Sequence, residues 1–306
     1  MNKNSKGTHD YLDDPRNLEV LVYVNGNFVP RQDAKISVFD SGFLLGDGVW
    51  EGIRLHKSKL MFIDDHLERL FNSAAGISLK IPLSKNEIID EINKVLIKNS
   101  MNDNIHIRLI ISRGDKITPY QNPNANIGPI NFVVIPEYKK TNPKVYENGV
   151  TIGRVPIIRP SDNILSTHYN SLSKLNCILA SIEANKRGFD EGIMNDPNGN
   201  ISTCNSTNLF FVKDNKVLTS KGEYCLNGIT RGKAIMICKS NDISIFEQDF
   251  TFDDIRDCEE AFVTGTFAGI IPVSKIENRD LKSTNSDSLV NQIRLLYNKH
   301  IQENIN

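Results

Sequence analysis

Lys174 is the residue whose position in the sequence best suits covalent chemistry. It stands at the head of a helical pattern in which Leu175, Ile178 and Ile182 recur at three- and four-residue steps. The pattern ends on a basic turn and Gly188, which is typical of a helix C-terminus. A lysine amine that is kept neutral attacks carbonyl carbons and can also move protons as an acid or base.

Two glycine-containing segments have the composition of phosphate sites. Asn227, Gly228, Ile229 and Thr230 lead into an apolar helix, whose first N–H groups and positive dipole end suit an anion. A second segment is an apolar strand that ends in small and hydroxylic residues around Thr266. Each signal taken alone is weak, because any capped helix or strand end has a similar composition.

Three arginines lie in or directly after predicted strands. Arg54 ends one strand, Arg108 lies within another, and Arg113 follows it. An arginine in a strand either points to water or binds an anion, and three in one domain favour an anion site. Trp50, close to Arg54 in sequence, could line an apolar pocket or belong to the core.

The elements that would position these residues fall into two halves. The first half carries a hairpin signal at Asn25-Gly26, a strand at Ile36–Phe39, and a capping box formed by Ser84 and Glu87. A polar, proline-bearing segment follows, after which the hydrophobic patterning restarts. The sequence therefore predicts a domain over residues 1–137, a linker over 138–148 and a larger domain over 149–306.

Composition narrows the class of protein. The chain has 306 residues, a formal net charge of −1, 39% hydrophobic and 24% charged residues. These values are ordinary for a soluble enzyme and give no support for nucleic-acid binding. The polar N-terminus does not resemble a secretory signal, and no apolar run reaches membrane-spanning length. Five scattered cysteines favour free thiols in a cytoplasmic protein and disfavour a metal cluster.

Taken together, the motifs resemble those of the class IV, or fold-type IV, pyridoxal-phosphate aminotransferases. This family includes branched-chain aminotransferases, D-amino-acid aminotransferases and aminodeoxychorismate lyase. The resemblance runs from about Val22 to Val273 and rests on six segments in the family's order. They are FDSGFLLGDGVWEGIR, DHLERLFNSA, RGFDEGIMNDPNGNIS, STNLFFV, LNGITRG and EEAFVTGTFAGIIPV.

The resemblance implies a fold of the α/β (α+β) class with a small N-terminal α/β sandwich and a larger C-terminal barrel-like domain. It also implies pyridoxal 5'-phosphate as cofactor, bound between the domains of a homodimer. By position, Arg69 resembles the arginine that pairs with the cofactor phosphate. Gly228, Ile229 and Thr230 resemble the phosphate-binding turn, with Thr266 as a further phosphate ligand.

The chain departs from the family pattern at two positions. The usual cofactor-binding lysine lies thirteen or fourteen residues before the pair matching Glu183-Ala184, and Asn170 occupies the thirteen-residue position. Lys174 lies one helical turn later and resembles the lysine of a subgroup with the sequence NSHSKLNCI, so we assign the catalytic role to it. Thr203 stands where the family has a glutamate that binds the cofactor's ring nitrogen. A hydroxyl keeps that nitrogen protonated less well than a carboxylate does, which predicts a weaker electron sink.

The predicted function is transfer of an amino group between a branched-chain-like or other small apolar amino acid and a 2-oxo acid by ping-pong kinetics. Arg113 resembles the carboxylate-binding arginine of D-amino-acid aminotransferases, whereas Arg108 and Arg54 resemble branched-chain-enzyme arginines. D-amino-acid transamination and aminodeoxychorismate lysis therefore remain alternatives. A further alternative, motivated by Asn170 and Thr203, is a paralogue that binds without transaminating. No phosphate-binding motif of nucleotide-binding proteins is present.

Overall fold

The computed structural model describes residues 7–305, and helices and strands alternate along the chain. The helices are α1 (Ser41–Leu45), α2 (Ile63–Gly76), α3 (Lys85–Lys98), α4 (Lys144–Asn148), α5 (Leu175–Lys186), α6 (Ile229–Ser240) and α7 (Leu289–Ile305). The strands are β1 (Tyr11–Leu12), β2 (Leu21–Val24), β3 (Asn27–Pro30), β4 (Gly48–His56), β5 (Lys59–Leu60), β6 (Ile105–Ser112), β7 (Asn131–Tyr138), β8 (Lys140–Thr141), β9 (Val150–Arg154), β10 (Glu191–Asn195), β11 (Ile201–Cys204), β12 (Asn208–Lys213), β13 (Lys216–Thr219), β14 (Ile245–Glu247), β15 (Glu260–Gly265), β16 (Gly269–Ile276) and β17 (Arg279–Asp280).

The first compact unit contains residues 12–140 together with 169–174. Its sheet has six antiparallel strands in the order β3-β2-β7-β6-β4-β5. Alternation along β4 and β6 places Val49, Ile53, Ile107 and Leu109 on one face, where they are fully buried with apolar residues of α2 and α3. Trp50 and Arg108 consequently lie on the opposite face.

A short segment from later in the chain completes this unit. Residues 169–174 run antiparallel to the start of β4, with a bridge between Val49 and Ser171. The N–H of Trp50 donates to the Asn170 carbonyl at 3.0 Å, and the N–H of Leu172 donates to the Gly48 carbonyl at 2.9 Å. Lys174 is the last residue of the segment, so pairing with β4 fixes the position of the Lys174 backbone.

Gly48 allows this close approach. A Cβ atom at Gly48 would lie 2.6 Å from the Ile111 carbonyl oxygen and 2.7 Å from the Leu172 side chain. We expect Gly48→Ala to lower the free energy of unfolding by about 1–3 kcal/mol, since backbone must shift to admit the methyl group. Urea unfolding measures the change. Gly232→Ala is the control, because nothing lies within 4 Å of a Cβ there, and alanine should be neutral or stabilise α6 by up to about 1 kcal/mol.

The second unit contains residues 7–11, 141–168 and 175–305 of the described chain. Its mixed sheet, a half-barrel, has the strand order β11-β10-β9-β16-β15-β12-β13-β14, with β17 paired to β16. One cluster around Phe211 and Val263 fills one face, and α6 and α7 pack with Phe210 and Phe262 on another. Large apolar side chains on both faces of β12 and β15 explain their continuous hydrophobic runs.

Helix α5 turns its larger apolar residues outward. Leu175, Ile178, Leu179 and Ile182 are 66%, 52%, 43% and 44% exposed, whereas Ala180 and Ala184 are buried. The sequence correctly predicts an apolar stripe on this helix. Within the described chain, the stripe is not covered.

The unit boundaries differ from the predicted domains in two short segments. The switch at Lys140 falls inside the predicted 138–148 linker, but residues 7–11 belong with the second unit and 169–174 with the first. Each of these two segments packs with residues that are distant in sequence, so no local sequence pattern could have assigned it to its unit. The strand predicted at Ile36–Phe39 is wrong, since these residues form an exposed turn before α1.

His56, at the end of β4, gives the first unit a pH-dependent stability. Burial and, less strongly, the Arg54 charge lower the pKa of His56 to about 4, while Asp103 opposes the shift. Between pH 6.5 and 4 the unfolded chain thus binds more protons than the folded one, so stability falls as the pH falls. We expect His56 alone to contribute about 3 kcal/mol to the stability lost over this range. His56→Gln should lose less, which urea unfolding at pH 7.5 and 4.5 can measure.

Candidate active site

Lys174 lies directly before α5 and over the Trp50 side chain. Its Nζ is 5.7 Å from the centroid of the Trp50 ring, within range of a weak cation–π contact. The ring is fixed by its own indole N–H, which donates to the Ser171 carbonyl at 3.1 Å. Asn170 is 1% exposed and donates from Nδ2 to the Trp50 carbonyl at 2.7 Å. Asn170 therefore braces the β4 backbone beneath the lysine.

Arg108 shares the Trp50 ring with Lys174. Its guanidinium carbon lies 3.8 Å from the ring centroid. Burial lowers the pKa of Arg108, while the charges of Glu137 and Glu51 oppose that shift. Within residues 7–305 its guanidinium donates no hydrogen bond. A largely buried cation that stacks on an aromatic ring without an acceptor is well suited to bind a carboxylate.

Arg69 is held by a buried carboxylate. Its Nε donates to Oε1 of Glu51 and its Nη2 to Oε2, both at 2.7 Å. The Nδ1 of His66 also lies 2.7 Å from Oε2 of Glu51. Glu51 is fully buried and His66 is 1% exposed, so the cluster lies in the interior, and the Arg69 side chain at its edge is 15% exposed.

Arg54 and Arg113 make structural contacts. Arg113 pairs with Asp47 through Nε at 2.7 Å and Nη2 at 2.9 Å, and it also donates to the carbonyls of Ile77 and Ser78. Arg54 is 4% exposed and donates to the Lys139 carbonyl at 2.7 Å. Both guanidinium groups donate to protein acceptors, so a substrate carboxylate would compete with these contacts, and the substrate-binding role of both arginines stays a prediction.

The start of α6 is an open helix end in the second unit. Gly228 precedes it without a side-chain cap, so the first N–H groups of Ile229 and Thr230 have no capping oxygen. The Gly228 N–H instead donates to Oδ1 of Asn208 at 3.2 Å, and a Cβ at Gly228 would lie 2.3 Å from that oxygen. A larger residue at this position would displace the Asn208 amide, and the helix end keeps the donors that suit an anion.

Thr203 lies on β11 and is 6% exposed. Its hydroxyl donates to the Thr207 carbonyl at 2.8 Å. The turn between them is fixed by Asn205, whose N–H donates to the Gly192 carbonyl at 3.1 Å and whose Oδ1 accepts from the Gly192 N–H at 2.6 Å. Because the Thr203 proton is used within the protein, its oxygen can act toward a ligand only as an acceptor.

Glu191 supports the same turn from inside the second unit. It is 2% exposed and accepts hydrogen bonds from the N–H and hydroxyl of Ser206 and from the Thr8 hydroxyl, the last at 2.6 Å. Burial raises the pKa of Glu191, and the hydrogen bonds from Ser206 and Thr8 oppose that rise. Thr266 lies half-buried in the turn between β15 and β16.

Three polar residues with defined contacts in these clusters, Glu51, His66 and Glu191, are not among the predicted site residues. Glu51 and His66 were not singled out, although an acidic residue between apolar strand positions and a histidine three residues before Arg69 are visible signals. Glu191 gave no such signal, because its partners Thr8 and Ser206 are distant in sequence. In the part of the chain described, no cluster of His, Cys, Asp or Glu could hold a metal ion, and no helix could span a membrane.

The family model for amino-transferase class IV matches residues 48–276. The chain belongs to this family. It is 36% identical over 289 residues to branched-chain-amino-acid aminotransferase-like protein 2 of Arabidopsis thaliana, covering 93% of this chain and 51% of that protein. It is 33% identical over 261 residues to D-alanine aminotransferase of Listeria monocytogenes, covering 84% of this chain and 87% of that protein.

A protein of Methanocaldococcus jannaschii that carries the provisional name of branched-chain-amino-acid aminotransferase is 34% identical over 275 residues, with 89% of this chain and 93% of that one covered. The chain spans about half the length of the two Arabidopsis proteins it matches.

Solved structures agree with the fold. The branched-chain aminotransferase of Thermoproteus uzoniensis with norvaline superposes with a TM-score of 0.83 at 25% identity, covering 93% of this chain and 95% of that one. The Escherichia coli branched-chain aminotransferase gives 0.84 at 26% identity, with 92% and 94% covered. The predicted fold, a two-domain α/β protein of fold type IV, is confirmed.

Proposed function

We propose that the chain is a pyridoxal-phosphate-dependent transaminase for branched-chain or similar small apolar amino acids. The observation that carries the proposal is the placement of Lys174 and Arg108 on one indole ring, in a chain of the class IV family. A lysine amine and a guanidinium without an acceptor among residues 7–305 supply the two groups that an amino acid and its carboxylate require.

The residues fit pyridoxal 5'-phosphate. The start of α6 has no side-chain cap, and Gly228 lies close to the Asn208 amide; such a helix end suits a phosphate group. We propose that Gly228, Ile229 and Thr230 bind the phosphate through the helix end, and that Arg69 and Thr266 are further phosphate ligands. When bound, the cofactor supplies an electron sink for charge that develops at the substrate's α-carbon.

Lys174 holds and moves the proton in this proposal. The charge of Arg108 on the same indole ring disfavours a second positive charge at Lys174. The backbone of the Lys174 segment is fixed by its pairing with β4, so only the lysine side chain needs to move when the amine transfers the proton. Arg108 binds the substrate carboxylate, and Trp50 lines the side-chain pocket.

Thr203 acts on the cofactor's ring nitrogen as an acceptor. Its proton is donated to the Thr207 carbonyl, so the hydroxyl oxygen would accept a hydrogen bond from a protonated ring nitrogen. It carries no charge to stabilise that proton, so the ring nitrogen should lose it more readily than in relatives with a glutamate. A ring-nitrogen NMR titration that finds this nitrogen fully protonated at neutral pH would contradict the expected easier loss of its proton.

Two observations favour L-amino acids over the D-amino-acid alternative. Arg113, on which that alternative depends, is engaged by Asp47, whereas Arg108 has no acceptor among the described residues. The structures described above are branched-chain enzymes that match over more than nine-tenths of this chain.

Arg108→Met tests the carboxylate role. We expect it to lower kcat/KM for the amino donor by about 30- to 150-fold, because a charge-assisted contact worth about 2–3 kcal/mol is lost. Methionine keeps the stacking area on Trp50 without the charge. An unchanged kcat/KM would show that Arg108 does not bind the substrate carboxylate. Arg154→Met is the control, since Arg154 also lies over a ring, that of Phe252, and is paired with Glu277.

We further propose a homodimer and a cytoplasmic location. The homodimer is supported by the exposed apolar face of α5, a surface that a soluble monomer rarely leaves uncovered. The location is supported by the free state of all five cysteines.

A half-reaction assay tests the activity. The purified chain is loaded with pyridoxal 5'-phosphate and mixed with L-leucine, L-valine, D-alanine or D-leucine, and the absorbance change to the pyridoxamine form is recorded. We expect conversion with the L-branched-chain donors and recovery on adding a 2-oxo acid. Conversion by D-donors alone would establish the D-amino-acid alternative, and cofactor binding without any conversion would establish the binding-only alternative.

A further inference from the structure

The cluster behind Arg69 is unusual for its place in the sheet. Glu51 lies on the same face of β4 as Val49 and Ile53, and all three side chains are fully buried. An apolar residue would be the ordinary occupant of that position. A buried carboxylate is costly unless cations and donors neutralise it, and here they come from one neighbouring helix, α2, as His66 and Arg69.

We propose that Glu51 and His66 are positioning residues that aim the Arg69 guanidinium at the cofactor phosphate, and so set the preference for the phosphorylated over the unphosphorylated cofactor. The inference rests on the proposed function in one respect, the phosphate role of Arg69.

The geometry explains how the aim is fixed. Both carboxylate oxygens of Glu51 accept from the Nε and Nη2 edge of Arg69. This fork-to-fork contact sets the plane of the guanidinium and therefore the direction of its other edge, which carries Nη1. A single hydrogen bond would leave the guanidinium plane free to rotate. The N–H donors of Arg69 would then face a phosphate dianion in many different orientations.

His66 fixes the carboxylate in turn. Burial raises the pKa of Glu51, but the charge and hydrogen bonds of Arg69 and the hydrogen bond of His66 bring it below its ordinary value. An ionised carboxylate only accepts, so the proton of the 2.7 Å contact resides on Nδ1 of His66. The imidazole thereby holds Oε2 at the angle that Arg69 requires.

Fold stability alone does not explain the cluster. Replacing a buried ion pair by well-packed apolar residues is often neutral or stabilising. Val49 and Ile53, the neighbours of Glu51 on the same face of β4, belong to the apolar core of the first unit, so an apolar residue would follow the strand pattern at position 51. A function in orienting Arg69 accounts for a carboxylate where the sheet pattern calls for an apolar side chain.

The test compares two ligands that differ only in the phosphate. The Kd values of pyridoxamine 5'-phosphate and pyridoxamine are measured on the cofactor-free full chain, and their ratio gives the phosphate preference. The variants are Glu51→Gln, His66→Leu and Arg69→Gln. Glu68→Gln is the matched control, since Glu68 lies on the same helix but is exposed and paired with Lys85. Each ratio is internal to one folded sample, so a loss of stability affects both ligands alike.

We expect Arg69→Gln to lower the phosphate preference by about 100-fold, and Glu51→Gln and His66→Leu to lower it by about 10-fold or more, with the Kd of pyridoxamine unchanged. His66→Asn, which keeps a donor, should retain most of the preference. If Arg69→Gln has no effect, the proposed phosphate site itself is wrong. If Arg69→Gln lowers the preference while Glu51→Gln and His66→Leu do not, the positioning inference alone is overturned. Should Glu51→Gln fail to fold, the His66→Leu and His66→Asn pair decides.

Discussion

Lys174→Ala is expected to lower the transamination rate by at least about 1,000-fold. The substitution removes both the nucleophile and the group that moves the α-proton, and each such role is worth about 100- to 10,000-fold. Borohydride reduction of the loaded wild-type chain, followed by peptide mapping, should recover the cofactor on Lys174. Added methylamine should restore part of the rate to Lys174→Ala, because a small amine can occupy the vacated space.

Lys186→Ala is the control for this experiment. Lys186 lies at the other end of α5, is exposed, and pairs with Glu183, so its loss should change the rate less than about twofold. A cofactor recovered on another lysine, or a Lys174→Ala chain with an undiminished rate, would contradict the assignment. Asn170→Lys in the Lys174→Ala background should not restore the rate, since the Asn170 amide braces the Trp50 carbonyl from a position 1% exposed.

Replacing Ile178 and Ile182 together by glutamate is expected to convert a dimer into monomers. Both side chains are about half exposed on α5, and burying each against a second copy would contribute about 2 kcal/mol. The lost contacts and the desolvation of two carboxylates should raise the dimer Kd by at least about 1,000-fold. Analytical ultracentrifugation over a concentration series measures this.

Lys186→Glu provides the charge-matched comparison on the same helix and should leave the dimer Kd nearly unchanged. A circular dichroism melt of the double variant checks that its fold is retained, as expected for surface positions. If wild type is a monomer at all concentrations, the α5 face is not a dimer surface. If the double variant remains a dimer, another surface forms the interface.

Local structure was predictable from the sequence. The capping box of Ser84 and Glu87 and the hairpin at Asn25-Gly26 are both present in the structure. Lys174 was correctly placed at the start of a helix, because the three- and four-residue apolar spacing of α5 and its basic last turn are short-range signals. Motif order, which is also local, was enough to recognise the family.

Non-local relationships were not predictable. The pairing of 169–174 with β4 and the bond between Thr8 and Glu191 join residues more than a hundred positions apart. Arg113 has the same sequence context whether it binds a ligand or Asp47, and only the fold distinguishes the two. Glu51 lies on the core face of β4, yet the strand pattern alone could not assign it a partner on α2.

The exchange of short segments between the two units has a consequence for recombination between relatives. A chimera that joins one parent's residues 12–140 to another's 141–305 would separate β4 from the segment that carries Lys174. Crossovers at 11/12, 140/141, 168/169 and 174/175 would instead keep each contact set within one parent. In this chain the natural module is thus a discontinuous block, and shuffled libraries that respect it should yield more folded members than those cut once in the linker.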